Sequence, residues 1–419
     1  MTLRMNEKMK QALLLLFFFL VSYILPLGAR DLFVPDETRY AEVPREMIQT
    51  GDWVSPRLDG LRYFEKPVLG YWAAAGSILL FGQNPFAVRL PSALATGLSA
   101  LLIYMLVARM GRRSGRENHT QAFLAALVFL SCFEVFGVGT TAVLDALFSF
   151  FLTATVAAFF VATEAAPRSS RERDFLVLSG IACGLAFLTK GFLAFAVPAL
   201  ALAPYLLWER RYRDLLRMGW APLMTALLVA LPWGIAIFMQ EPDFWRFFFW
   251  NEHVRRFLAD SAQHREPFWY FFLTAPGTFL PWTFMLPAAA QGLKGRLGER
   301  EPLGRLLRLC ICWLSVPFLF FSLSSGKLVT YILPCFPPLA VLTAFGLSHA
   351  FKDRKNGLFR WGLIGNIVLF SAIVLAFVYV QLFGYQGFRP YEAPWRAVMA
   401  VNALYFVVAF SFWALRSEK

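Results

Sequence analysis

The chain has 419 residues, of which 58% are hydrophobic, with 45 Phe, 13 Trp and a net charge of +13. So apolar a composition excludes a soluble globular domain and a disordered chain, and it identifies a polytopic membrane protein. Nor do the cations read as a nucleic-acid surface, because they are dispersed over separate loops rather than gathered on one face.

Twelve apolar stretches are expected to span the membrane, at 11–28, 86–108, 121–138, 141–163, 174–189, 191–207, 219–239, 268–290, 305–323, 329–349, 361–382 and 397–415. The expected fold is therefore all-α. Several stretches have only 16 to 18 residues, near the lower limit for crossing about 30 Å of hydrocarbon, so their boundaries are soft. The first is not a cleavable signal, since Arg30-Asp31 rather than a small-residue site follows it. Val68–Gly82 has 15 residues, too few to cross, and is expected as a helix on the outer surface. Counting it as a span would put every later basic loop outside. With the N-terminus inside, the inner segments hold 25 of the 40 basic residues, which places both termini in the cytoplasm. Only 29–85, 240–267 and 291–304 are long connections, so residues 1–419 read as one domain with interfacial helices in its first outer loop. Cys132, Cys183, Cys310, Cys312 and Cys335 all fall in expected spans, which predicts buried free thiols and no disulfide framework.

Polar residues concentrate on the outer side. In the first outer loop Asp36-Glu37 precede a helix expected over about Thr38–Thr50, with Asp36 as its cap and Gly51 as its stop. Pro44 threatens a kink, and Tyr40, Val43, Met47 and Ile48 form a face expected to lie on the membrane. Tyr63-Phe64-Glu65-Lys66-Pro67 then delivers Lys66 to headgroup depth. Asp145 stands four residues into the fourth expected span, and Glu134 near the outer end of the third. Carboxylates in such places are costly and mark a site or a paired cation. Lys190 follows at the end of a span, and Asn251-Glu252-His253-Val254-Arg255-Arg256 fills a later outer loop. Ser324-Ser325-Gly326-Lys327 precedes Thr330-Tyr331. Several cations at one depth, accompanied by carboxylates, suit an anionic amphiphile whose head reacts while its tail stays in lipid. Each also has a plain structural reading, as a helix cap, a snorkelling lysine or an ion pair.

Asp36-Glu-Thr-Arg-Tyr-Ala-Glu, Arg45-Glu-Met, Gly51-Asp-Trp, Arg62-Tyr-Phe-Glu-Lys-Pro, Thr189-Lys-Gly-Phe, Phe248-Phe-Trp-Asn-Glu-His-Val-Arg-Arg-Phe, Ser322-Leu-Ser-Ser-Gly-Lys-Leu and Thr330-Tyr-Ile-Leu-Pro-Cys-Phe resemble bacterial undecaprenyl-phosphate aminoarabinose transferases. The match runs from about residue 20 to 350. These are GT-C glycosyltransferases, and the resemblance implies transfer of 4-amino-4-deoxy-L-arabinose from undecaprenyl phosphate onto lipid A phosphates in the bacterial inner membrane, with polymyxin resistance as the outcome. Asp36, Glu37 and Asp145 are then the expected catalytic carboxylates. Lys66, Lys190, Arg255, Arg256, Lys327 and Tyr331 are expected to hold the lipid phosphate. No cofactor is required, although Glu65 and His253 are candidates for a divalent metal. Family members commonly continue into a soluble periplasmic domain, which is not expected within residues 1–419. Two alternatives stay open: transfer of another sugar to protein or glycan hydroxyls, and a transporter or flippase of lipid-linked sugars.

Overall fold

The computed structural model describes residues 7–115, 118–250, 265–350 and 357–383. Those residues are almost entirely helical, and the only sheet among them is a two-stranded hairpin. The chain enters through α1 (Glu7–Phe19), continued by π and 3₁₀ turns to Gly28. The connection after α1 then builds α2 (Asp36–Thr50), a hairpin of Arg57–Leu58 and Leu61–Arg62, and α3 (Leu69–Phe81). Next come α4 (Pro85–Arg113), α5 (His119–Ser131), α6 (Phe133–Gly139), α7 (Leu144–Thr163), α8 (Ser170–Lys190), α9 (Leu193–Trp208) and α10 (Tyr212–Gln240). After these follow α11 (Tyr270–Thr278), α12 (Leu286–Leu293), α13 (Pro302–Leu323), α14 (Phe336–Ala350) and α15 (Gly357–Phe383).

Among the described residues seven helical stretches are long and apolar enough to cross a membrane, or eight if α5 and α6 form one span bent by 66°. The other expected spans take different forms. The stretch at 174–189 is α8, whose first turns are charged, and 191–207 is the 16-residue α9. The stretch at 268–290 is broken near Pro281 into short helices, and 397–415 lies outside the described residues. Val68–Gly82 forms the short apolar helix α3.

Contacts divide the described residues into two units. The first, residues up to 280 together with 295–344, contains the loop between α1 and α4 and every described candidate site residue. Its polar contacts gather at two ends. At one, Arg305 pairs with Glu164, Arg217 with Glu172 and Arg308 with Glu209. At the other, α2 packs on α3, and α3 packs on α4 and on α8, the helix whose Lys190 meets Asp145. In the second unit α12 and its preceding turn pack on α15, where Gly362 lets the Phe284 carbonyl approach so closely that a Cβ would meet it at 2.5 Å.

Two expectations for α2 need correction. The helix begins at Asp36 itself, with Pro35 at the cap position and no side-chain cap, and it runs unbroken through Pro44. Its apolar face does not rest on lipid: Val43 and Met47 are fully buried, and Tyr40 stacks on Tyr71 of α3. Two apolar faces that meet bury each other before either reaches the bilayer. Gly51 ends α2 as expected, in a left-handed conformation with φ of 72°.

Candidate active site

Glu37 and Arg89 fix the base of the loop between α1 and α4. The buried Arg89 guanidinium, in the first turns of α4, uses all five N–H groups, on both Glu37 oxygens and on the carbonyls of Leu27, Arg30 and Asp31. Glu37 also accepts from Arg30 and from the backbone N–H of Phe33 and Ala142. Burial alone would raise its carboxyl, but the hydrogen bonds from Arg89, Arg30, Phe33 and Ala142 outweigh that and hold it at about 2. Every lone pair of Glu37 is occupied, so its place is at the joint between the loop, α4 and the α6–α7 turn.

Asp36, one residue earlier, points the other way. Its exposed carboxylate pairs with Arg39 at 2.8 Å. Arg39 donates to the Tyr63 hydroxyl at 3.2 Å and lies 3.8 Å from Glu65, while Tyr63 donates to Glu65 at 2.9 Å. The Lys66 ammonium donates to the Glu65 carbonyl at 2.8 Å. Asp36, Glu65 and Lys66 thus share one polar rim organised by Arg39 and Tyr63, two residues that sequence reasoning did not single out.

A second group lies deeper. Asp145, in the first turn of α7, pairs with Lys190 at the end of α8, Nζ to Oδ1 being 2.6 Å. The Lys190 ammonium also stands 4.9 Å from the centroid of the Tyr331 ring and 5.7 Å from that of Phe148. Antiparallel packing of α7 and α8 puts the acid and the base at the same end. The half-buried Tyr40 connects the two groups, being within electrostatic range of Asp145 on one side and of Tyr63, Arg39 and Glu65 on the other. Burial pushes its phenol up, with Asp145 and Tyr63 adding to the effect, so Tyr40 stays a proton donor at neutral pH.

The remaining candidates lie apart from these groups or outside the described residues. Lys327 is buried, and its ammonium is taken up by the backbone carbonyls of Glu266 and Ser324. It closes the connection that leads into α11, and burial lowers its basicity against the opposing pull of Glu266. His253, Arg255 and Arg256 fall in 251–264, outside the described residues. The Glu65–His253 metal pair therefore has only one described member, already engaged by Tyr63 and Arg39.

Sequence reasoning also missed Glu241, a buried carboxylate at the end of α10. It accepts from Ser55 and Arg57 and lies 2.8 Å from Arg62, tying the hairpin to the helix bundle. The signal available was an acid directly after a long apolar run, opposite a loop rich in arginine. Arg89 offered a similar clue, as a lone charge inside an expected span.

Acids on a loop beside paired charges at helix ends, in an all-α apolar scaffold, fit a membrane enzyme, and similarity to known proteins gives its class, a glycosyltransferase of the GT-C type. Residues 8–248 match the family model of dolichyl-phosphate-mannose-protein mannosyltransferases. The undecaprenyl phosphate-alpha-4-amino-4-deoxy-L-arabinose arabinosyl transferase of Shewanella sediminis is 45% identical over 403 residues, which are 95% of this chain and 71% of that protein. Its counterpart in Aeromonas hydrophila is 47% identical over 86% of this chain and 65% of its own length. The crystal structure of ArnT from Cupriavidus metallidurans bound to undecaprenyl phosphate superimposes with a TM-score of 0.80 at 27% identity, covering 96% of this chain and 71% of that one. The chain belongs to the family of undecaprenyl phosphate–aminoarabinose arabinosyl transferases, and it spans roughly two thirds to seven tenths of the length of these relatives.

Proposed function

We propose that this chain moves 4-amino-4-deoxy-L-arabinose from undecaprenyl phosphate to a phosphate of lipid A, on the periplasmic side of the inner membrane with both termini cytoplasmic. The observation that carries the proposal is the Asp145–Lys190–Tyr331 group lying beneath Tyr40 and the Asp36–Arg39–Glu65 rim. The group is charged, more buried than the rim and set at helix ends of an apolar bundle, which suits a substrate with a phosphate head and a hydrocarbon tail.

In the proposed reaction a lipid A phosphate oxygen attacks the anomeric carbon. The bond from that carbon to the donor phosphate breaks, and undecaprenyl phosphate leaves with the electron pair. Positive charge grows on the sugar ring and negative charge on the leaving phosphate. Lys66, with Arg255, Arg256 or Lys190, would stabilise the leaving group, because preorganised charge in a dry site lowers the barrier by several kcal/mol. Asp36 would orient the acceptor, and the Asp145 carboxylate would face the ring. A phosphate monoester, with a second pKa near 6, is already ionised and needs little general-base help.

The test is to express the chain in a strain lacking its own aminoarabinose transferase but still making the donor, and to weigh its lipid A. Lipid A carrying an added aminoarabinose supports the reading. Unmodified lipid A accompanied by newly glycosylated protein or glycan would favour transfer to hydroxyls, the reading that the mannosyltransferase family match keeps alive.

A further inference from the structure

One buried acid lies outside every ion pair described so far. Glu134 is 7% exposed and stands in the first turn of α6, just after the 66° break that separates α5 from α6. Its Oε1 is enclosed and has no hydrogen-bond partner among the described residues. The break does not consume the carboxylate either: Cys132 is extended, and the Phe133 N–H is met by the Leu280 carbonyl at 2.9 Å. Packed around α6 are α7, which carries Asp145, the 329–335 turn, which carries Tyr331, and α11, which begins with Tyr270. Glu134 is within electrostatic range of both Asp145 and Tyr270.

An ionised carboxylate in such surroundings costs several kcal/mol unless it takes up a proton or a cation meets it. The described cations nearby are spent elsewhere. Lys190 is on Asp145, Lys327 is on two carbonyls, and Arg30 and Arg89 are on Glu37. A helix interrupted close to the element that carries Asp145, and an acid unpartnered at the interruption, suit a receptor for a cation that arrives with the substrate. The sugar of the proposed donor brings one, because its aliphatic 4-amino group is an ammonium at neutral pH.

We propose that Glu134 binds the 4-ammonium group of the donor sugar and sets the enzyme's preference for an amino sugar over its neutral counterpart. The assignment rests on aminoarabinose transfer being the reaction. Arabinose itself, with a hydroxyl in place of the amine, has nearly the same shape. In its complex Glu134 would stay buried and uncompensated, and a site built for a charged partner rejects such an isostere strongly.

The experiment compares undecaprenyl phosphate-linked aminoarabinose with undecaprenyl phosphate-linked arabinose as donors to lipid A, using the full chain in detergent. A charge-assisted contact corresponds to a preference of the wild type for the amino donor of about 100-fold in kcat/KM. Glu134→Gln should bring that ratio to near one by losing activity on the amino donor alone, and Glu134→Asp should retain part of the preference. Equal losses on both donors, or an unchanged ratio, would make Glu134 architectural and overturn the assignment. A wild type that transfers neither sugar sinks aminoarabinose transfer itself, and the assignment goes with it. A check that needs no variant is inhibition of the wild type by methyl 4-amino-4-deoxy-arabinoside and by methyl arabinoside. Stronger inhibition by the amine is expected, and equal inhibition overturns the assignment.

Discussion

Asp36 and Glu37 are neighbours in sequence with opposite fates, and helical geometry is the reason. Successive residues of a helix project about 100° apart, so one acid of the pair turns to the rim while the other turns into the joint with Arg89. The sign of the pH effect follows. With its carboxyl held at about 2 against an ordinary 4.5, Glu37 contributes stability that is complete above 4.5 and is lost as pH falls towards 2. Glu37→Gln leaves Arg89 buried without its charge partner, which should cost about 3–5 kcal/mol. Thermal unfolding in detergent checks both points. The wild type should weaken more steeply than the variant between about pH 4.5 and 2, and parallel curves would count against this role for Glu37.

Among the elements, the association of α8 with α10 is the most sensitive to a single atom. Gly180 and Gly184 lie one turn apart on α8 against the backbone of α10, where an added Cβ would approach the carbonyl oxygens of Pro222 and Ala226 at 2.6 and 2.8 Å. Small residues spaced four apart permit this approach, as in other membrane helix pairs. Gly184→Leu should therefore lower stability by about 1–3 kcal/mol or more through overpacking. Gly219→Ala, where nothing lies within 4 Å of the new Cβ, should leave the unfolding midpoint unchanged or raise it. Equal effects of the two substitutions would remove the packing explanation.

The same scale shows what was readable in the sequence. Long apolar runs, the Gly51 stop and the 13-residue α3 follow from local pattern alone. The hairpin was legible too, but went unread: Asp59-Gly60 are both at positive φ, 53° and 74°, the backbone that an Asp-Gly pair between two short strands favours. The packing of α2 on α3, the break at Cys132 and the pairing of Glu241 with Ser55 and Arg57 depend on residues far apart in the chain. No local period encodes them. The Asp145–Lys190 pair is intermediate, since both residues were singled out for their position but their meeting required the antiparallel packing of α7 on α8.

At the scale of the whole molecule, the described ion pairs of the first unit gather at two ends, so groups at the end that carries Asp145 and Lys190 act together whatever element they come from. The loop supplies Asp36, Glu65 and Lys66, and the bundle supplies Asp145, Lys190 and Tyr331. This arrangement predicts an unequal dependence on acids and bases that reports on the acceptor. A phosphate monoester acceptor is ionised above about pH 6, whereas a hydroxyl acceptor must lose its proton during attack. With lipid A as acceptor at pH 7.5, Asp36→Asn should lower kcat by about tenfold or less, because no proton has to be removed; a general base is worth about 10² to 10⁴. Lys66→Ala removes charge from the leaving phosphate and should cost about 10² to 10³, the penalty typical of losing a preorganised donor to a developing anion. Initial rates with the full chain in detergent decide between the two roles. If Asp36→Asn proves as damaging as Lys66→Ala on a phosphate acceptor, Asp36 is the base, and the division of labour between loop acid and phosphate-binding cation has to be redrawn.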